Sequence, residues 1–211
     1  VALALEALEA RQISRETATT FRLGYAPARW DGLAEELRRQ GVSPADAELA
    51  GMLLGRKQGG GHYDRFRHRL MFPVWDRHGK IVAFSGRILP ATEDMPEGIV
   101  PEDAGKYINS PETPIFRKSD NLFGLHVARA QMRQTAQAVL VEGNFDVVAM
   151  HQAGFANTVA PLGTAFTEAQ ARLLRRFAEE VILLFDGDEA GRKASRVAHQ
   201  ACLSAGLQSR I

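Results

Sequence analysis

The last third of the chain alternates short apolar runs with helical stretches, and no other feature narrows the fold as far. Ala138-Val139-Leu140-Val141, Thr158-Val159-Ala160 and Val181-Ile182-Leu183-Leu184-Phe185 are rich in β-branched residues and end in turn signals. Such runs read as buried strands. Residues 144–152, stopping near Gly154, read as a helix, and Thr167-x-x-Gln170 is a capping box opening a second helix over 167–180. A last helix is expected over 188–205, with Gly206 as its terminator. Alternation of this kind implies an α/β fold with a parallel sheet and right-handed crossovers.

Two acidic clusters, Glu142-Gly143-Asn144-Phe145-Asp146 and Asp186-Gly187-Asp188, follow the first and third of these strands. Open α/β sheets bind ligands at the C-terminal ends of their strands. Carboxylates gathered there repel one another, and a divalent cation relieves that repulsion. The cluster therefore reads as a Mg²⁺ site for phosphate chemistry, with Mn²⁺ as a substitute. Glu142, Asp186 and Asp188 are candidate metal ligands and catalytic residues. Asp146 lies in the first turn of the next helix, as a further ligand or outer support. Each acid alone has a plainer reading: Asp146 and Asp188 as helix caps, Asp186-Gly187 as a turn. The pair in this strand context favours the metal.

Residues 1 to about 40 read as helical, with Ser14 and Thr17 as caps and Asp31 capping a helix through Arg39. Ser43-Pro44 opens another short helix, and Gly59-Gly60-Gly61 reads as a hinge or turn. Residues 70–84 read as a β-hairpin around Asp76-Arg77-His78-Gly79, with Pro73 placing its first strand at an edge or bulge. Residues 90–105 read as a surface loop, and 122–137 as a helix. Two domains are expected: an α+β basic subdomain over 1–134 and a parallel subdomain over 135–211.

Net charge is only +1, so a nucleic-acid role requires local basicity. Residues 56–87 supply it, carrying eight Lys and Arg against Asp64 and Asp76, with Tyr63, Phe66, Phe72, Trp75 and Phe84 interleaved. A basic groove with aromatic faces suits single-stranded nucleic acid, although composition alone fits a solvated basic face equally well. Arg65, Arg67 and Arg69 alternate as on a strand, so at most two share a face. Cys202 is alone, which excludes an intramolecular disulfide and a cysteine-rich zinc site and fits a cytoplasmic setting. His62, His68, His78 and His151 lack ligand spacing. Trp30, Trp75 and Cys202 read as core residues. The apolar runs are too short to span a bilayer, and the N-terminus lacks a signal peptide's basic region. The chain starts without Met and stops after a helical stretch, so a piece of a longer protein is expected.

Val141-Glu142-Gly143-Asn144-Phe145-Asp146 and Phe185-Asp186-Gly187-Asp188-Glu189-Ala190-Gly191-Arg192 resemble the two motifs of the Toprim fold, shared by replicative primases, topoisomerases and certain nucleases. Tyr63-Asp64-Arg65-Phe66-Arg67-His68-Arg69-Leu70-Met71-Phe72-Pro73 resembles the YDRFR…MFP signature of bacterial DnaG-type DNA primases. The run from Lys106-Tyr107-Ile108-Asn109-Ser110-Pro111-Glu112-Thr113 to Phe116-Arg117-Lys118 resembles their KYLNSPET signature, and Leu122-Phe123-Gly124-Leu125 follows as LYGL does there. Ser85 replaces the first glycine of the family's GGR before Gly86-Arg87, and Arg11-Gln12-Ile13-Ser14 stands where the family has RGLS or RGIS.

The resemblance covers nearly the whole chain and implies the RNA-polymerase domain of a primase, C-terminally truncated. It implies nucleoside triphosphates joined on a single-stranded DNA template. Lys106 and Lys118 would act beside the acids. Arg11, Arg65, Arg67, Arg69, Arg87, Lys106, Tyr107, Asn109 and Lys118 would bind nucleotide or template. Zinc and the replicative helicase would belong to domains absent from this chain, and a third acidic motif would follow Asp188 beyond its end. A cytoplasmic, nucleoid-associated enzyme without membrane contact is implied. The alternatives are another Toprim enzyme, a nuclease or topoisomerase, or a non-catalytic nucleic-acid-binding module.

Overall fold

The computed structural model describes residues 1–211 except Lys57, Gln58, Asp94 and Glu102. Contacts divide the chain into two units. The first holds Val1–Gln12, Arg22–Pro73 and Ala83–Phe116; the second holds Ile13–Phe21, Val74–Val82 and Arg117–Ile211.

In chain order the elements begin with helices α1 (Ala2–Glu9) and α2 (Arg15–Thr20), then strand β1 (Gly24–Ala26), α3 (Gly32–Arg39) and α4 (Pro44–Leu49). Ser14 caps α2, its Oγ accepting from Thr17 N–H at 3.1 Å, and Ser43 caps α4. The expectation that residues 1 to about 40 are all helical is corrected by β1, which pairs antiparallel with β4 (Arg69–Trp75). Strands β2 (Leu53–Gly55) and β3 (His62–Asp64) form a separate antiparallel ribbon. β4, β5 (Ile81–Ile88) and β6 (Tyr107–Asn109) complete a sheet of order β1-β4-β5-β6. Pro73 thus lies on an inner strand, but two residues beyond Met71, the last β1-paired position, so β1 asks no N–H of it. Between β5 and β6 no regular element forms among the described residues, and Ile99 there is fully buried.

The second unit carries a 3₁₀ turn at Lys118–Asp120, α5 (Leu125–Thr135), β7 (Gln137–Leu140), α6 (Asn144–Gln152), β8 (Thr158–Val159), α7 (Glu168–Leu174), β9 (Glu180–Leu183), α8 (Glu189–Ala205) and β10 (Gln208–Arg210). α5 starts and stops inside the expected 122–137 because Gly124 (φ +82°) and Ala136 (φ +56°) are left-handed, which breaks the helical path at both ends. α7 ends at Leu174, six residues short of expectation, before the chain turns into β9. β10 went unforeseen; it runs parallel to β9 at the sheet edge.

The sheet order is β10-β9-β7-β8, all parallel where paired. From β7 the chain crosses to β8 on one side, then to β9 on the other. The order therefore reverses between β7 and β9, which makes their C-terminal ends the switch point of the sheet, the crevice where such folds bind ligands. A dry cluster including Met132, Leu140, Leu174, Val181 and Cys202 fixes these strands in place.

Candidate active site

The acidic residues occupy that switch point. Glu142 follows the end of β7 and Asp186 the end of β9. The β ladder continues past the end of β9, Leu184 N–H donating to the Leu140 carbonyl at 2.9 Å. Asp186 N–H then donates to Glu142 Oε1 at 2.9 Å, so the two acidic loops are stitched together. Asp188 Oδ1 accepts from Gly191 N–H at 2.7 Å and caps α8. Asp146 Oδ2 reaches back to Gly143 N–H at 2.9 Å at the start of α6. Both caps lie at positive helix ends, where a carboxylate is stabilised. The plain reading of Asp146 and Asp188 as caps therefore holds for these oxygens.

All four acids are exposed. Among the described residues no three His, Cys, Asp or Glu side chains gather into a metal-holding group. The edge is thus an open set of oxygen donors rather than a closed cage. Oxygen-only donors suit a hard cation such as Mg²⁺, which keeps most of its water and uses one or two carboxylates. The backbone also fits. A Cβ on Gly191 would stand 2.1 Å from the Asp186 carbonyl oxygen, so only glycine lets α8 begin against the acidic loop. Sequence reasoning left Gly191 without a role; a glycine in a helix's first turn, costly for propensity, was the available signal.

Lys118 belongs to the same unit and is half-buried. Its segment is fastened by the buried Gln170, whose Nε2 donates to the carbonyls of Lys118 (2.9 Å) and Asn121 (2.7 Å), and by Thr167 Oγ1, which donates to the Ser119 carbonyl at 2.7 Å. The capping box of α7 is therefore also an anchor for the Lys118 turn. Its Gln carries information the sequence pattern alone did not assign.

The first unit holds Arg11, Arg65, Arg67, Arg69, Arg87, Lys106, Tyr107 and Asn109. Strand alternation of the three arginines is corrected. β3 stops at Asp64 and β4 starts at Arg69, and His68 between them is left-handed at φ +52°. Arg69 is buried and its Nη1 donates to the carbonyls of Gly86 (3.0 Å) and Gly105 (3.1 Å). Burial, with Arg67 nearby, pulls its guanidinium down to about 10. Arg67 donates through Nε to the Ile99 carbonyl at 2.8 Å and through Nη1 to the Asp64 carbonyl, and lies over the rings of Trp30 and Tyr63. Trp30, expected in the core, is instead 37% exposed and forms one wall of this stack.

Arg65 differs from both. Its Nε is buried without a partner among the described residues, and burial lowers its pKa. Arg87 pairs across the sheet with Tyr107, donating to its hydroxyl at 3.0 Å, while Asn109 pairs with Ser85. Gly86 beside them is required, since a Cβ there would meet Phe66 at 2.9 Å. Lys106 is exposed, and Arg11 donates to the Ala7 carbonyl at 3.2 Å. Gln12 takes φ +55°, a conformation in which the glycine of the RGLS pattern would be unstrained.

A profile of the DNA primase catalytic core, N-terminal domain, matches residues 2–129. The chain belongs to the DNA primase catalytic core family. A Toprim domain profile matches residues 136–211. The DNA primase of Synechococcus elongatus is 47% identical over 188 residues, covering 88% of this chain and 26% of that protein. The RNA polymerase domain of the Mycobacterium tuberculosis primase superposes with TM-score 0.85 at 37% identity, covering 99% of this chain and 66% of that one. A DnaG primase catalytic domain bound to single-stranded DNA superposes with TM-score 0.82 at 38% identity, covering 98% of this chain and 62% of that one. The chain spans about a quarter to a third of the length of the curated primases it matches. A Toprim primase core implies use of a divalent metal in general, which agrees with the oxygen donors at the switch point. No helix among the described residues is long and apolar enough to cross a membrane.

Proposed function

We propose that this chain is the RNA-polymerase core of a replicative primase and builds short RNA primers from nucleoside triphosphates on single-stranded DNA. The observation that carries the reading is the stitching of Glu142 to Asp186 across the switch point of a Toprim sheet in a primase-family chain. Residues 1–134 serve as the basic, template-handling subdomain and 135–211 as the Toprim subdomain. Glu142, Asp186 and Asp188 hold Mg²⁺, or Mn²⁺ in its place, and Asp146 supports the first of them from α6. The bound cation would supply Lewis-acid stabilisation of charge on the phosphoryl oxygens.

The chain's own residues do the rest. Lys106 and Lys118 offset the charge that develops on the triphosphate as a primer 3′-hydroxyl displaces pyrophosphate. Arg87 holds phosphate, with Tyr107 ordering its guanidinium, and Asn109 hydrogen-bonds sugar or phosphate. Arg65 is the strongest template candidate of its segment, because a buried guanidinium with an unpartnered N–H is costly unless an anion satisfies it. Arg67 and Arg69 support the template path by fixing backbone carbonyls, and Arg11 adds positive charge beside it. The replicative helicase and zinc are assigned to domains outside this chain, and the setting is cytoplasmic, at the nucleoid.

The test uses a protein carrying this chain together with the rest of the primase length. Labelled ribonucleotides, Mg²⁺ and a single-stranded template should give short RNA and an intact template. Asp186→Asn should remove the product and leave template affinity in place. Shortening of the template, or RNA synthesis by Asp186→Asn at the parent rate, would overturn the reading.

A further inference from the structure

We propose that Gln170 is a positioning residue for Lys118, its buried side-chain amide fixing the main chain that carries this lysine at the carboxyl edge of the parallel sheet. The proposal rests on the reading that Lys118 acts on the triphosphate. Gln170 is fully buried. Its Oε1 accepts from Thr167 N–H at 3.0 Å, and its Nε2 donates to the carbonyls of Lys118 at 2.9 Å and Asn121 at 2.7 Å. One amide thereby closes the N-terminus of α7 and ties down both ends of the 3₁₀ turn at Lys118–Asp120.

The choice of glutamine carries the argument. A capping box takes glutamate as readily as glutamine, because the N-cap N–H asks only for an acceptor. A carboxylate at 170 would keep that bond and lose both others, since it has no hydrogen to donate. What the amide provides beyond the cap is therefore two bonds, and both end on the 118–121 segment. Thr167 follows the same pattern. Its Oγ1 caps α7 by accepting from Gln170 N–H at 3.1 Å and donates to the Ser119 carbonyl at 2.7 Å. The core is secured without these bonds. Leu122 and Phe123 are buried, and Phe123 exchanges two backbone hydrogen bonds with Ala160. In the turn itself Ser119 and Asp120 are exposed and Lys118 is half-buried.

The topology says where this turn lies. Ala160 follows β8 at its carboxyl end, and α7 connects β8 to β9, which both run parallel to β7. The N-terminus of α7 therefore stands at the carboxyl ends of the strands, the edge that also carries Glu142 and Asp186. A backbone shift in the turn moves the lysine relative to that edge. Stabilisation of developing charge depends on a preorganised position, and a misplacement of about 1 Å can cost on the order of 100-fold in rate.

The experiment is a double-mutant cycle in a protein carrying this chain together with the rest of the primase length, with primer synthesis measured per folded molecule. Gln170→Glu keeps the cap and should lower kcat on the order of tenfold, with single-stranded DNA affinity unchanged. In a Lys118→Ala background the same substitution should lower kcat no further, because no ammonium is left to misplace. Its effect on the melting temperature should be equal in both backgrounds. An amide that merely holds the fold together would give the same kcat loss in each. That recurrence, or parent kcat in Gln170→Glu, would overturn the proposal. Thr167→Val breaks the Ser119 bond through a different side chain and should show the same dependence on Lys118; it decides the question on the same criteria if Gln170→Glu does not fold. Thr167→Ser keeps the hydroxyl and should stay at the parent rate. Lys118→Ala at the parent rate would sink the triphosphate role beneath the proposal, whereas an impaired Lys118→Ala with losses that simply multiply sinks the positioning alone.

Discussion

The acidic edge and the arginine segment are both dense in charge, yet the fold treats them in opposite ways. Glu142, Asp146, Asp186 and Asp188 all stay exposed at the ends of parallel strands, and their hydrogen bonds go to backbone N–H groups that fix the loops. Of the three arginines at 65, 67 and 69, one is buried and two are half-buried, and Arg67 and Arg69 are spent on main-chain carbonyls. Formal charge in a sequence is thus a poor measure of charge available to a ligand. Carboxylates placed at strand ends by topology remain exposed, while arginines with long stems are drawn in to satisfy irregular backbone.

The largest expected effect lies on the acidic side. Gly191→Ala drives a methyl group into the Asp186 backbone. It should cost about 3 kcal/mol of stability by chemical denaturation and abolish Mn²⁺ binding in the folded fraction. Unchanged metal binding would show that the Asp186 loop position is incidental to the site.

The arginines should then separate from one another. Arg69→Met removes the hydrogen bonds to the Gly86 and Gly105 carbonyls, the first of them buried, and should cost about 2 kcal/mol. Arg65→Leu removes a desolvated cation whose Nε has no hydrogen-bond partner among the described residues, so it should leave the melting temperature unchanged or raise it. It should also reduce single-stranded DNA affinity and flatten its salt dependence. Equal stability losses in the two variants would erase the distinction drawn between them.

These contrasts show which parts of the molecule its sequence made legible. The Toprim half was readable because apolar runs, a Thr167/Gln170 capping box and Asp188 as a helix cap each act locally and agree with one another. The β7–β9 adjacency that brings Glu142 to Asp186 is a matter of sheet order, which no local pattern specifies. The basic half was less legible. The break between Asp64 and Arg69 depends on His68 in a left-handed conformation, held by its Nε2 contact to the Pro90 carbonyl, a distant partner that no local pattern announces. Trp30 at the surface, Ile99 in the core and β10 beside β9 are tertiary outcomes of the same kind. The acids at 142, 146, 186 and 188 were read from the strand pattern and the basic site residues from motif resemblance, whereas the roles of Gly191 and Gln170 emerged only once backbone approach and hydrogen bonding were on view.

The smallest effect is a pH slope on the acidic side. His151, at the far end of α6 from Asp146, makes a 2.9 Å contact from Nε2 to the Thr158 carbonyl, and burial lowers its pKa below the ordinary 6.5. The unfolded chain then binds more protons than the native one just below pH 6.5, so stability is complete above that value and is lost as pH falls through the window beneath it. His151→Asn should flatten this slope in denaturation curves taken between about pH 5 and 7, the range in which histidine titrates. A slope that survives the substitution belongs to another group.

The central claim is that the sheet's switch point is a divalent-metal centre built from Glu142, Asp186 and Asp188. Titration of the chain with Mn²⁺, read by the paramagnetic resonance of the free ion, tests it most directly. The parent chain and Arg65→Leu should both deplete free Mn²⁺, weakly and equally, and Asp186→Asn with Asp188→Asn should deplete none. Depletion by the double variant at the parent level would contradict the account.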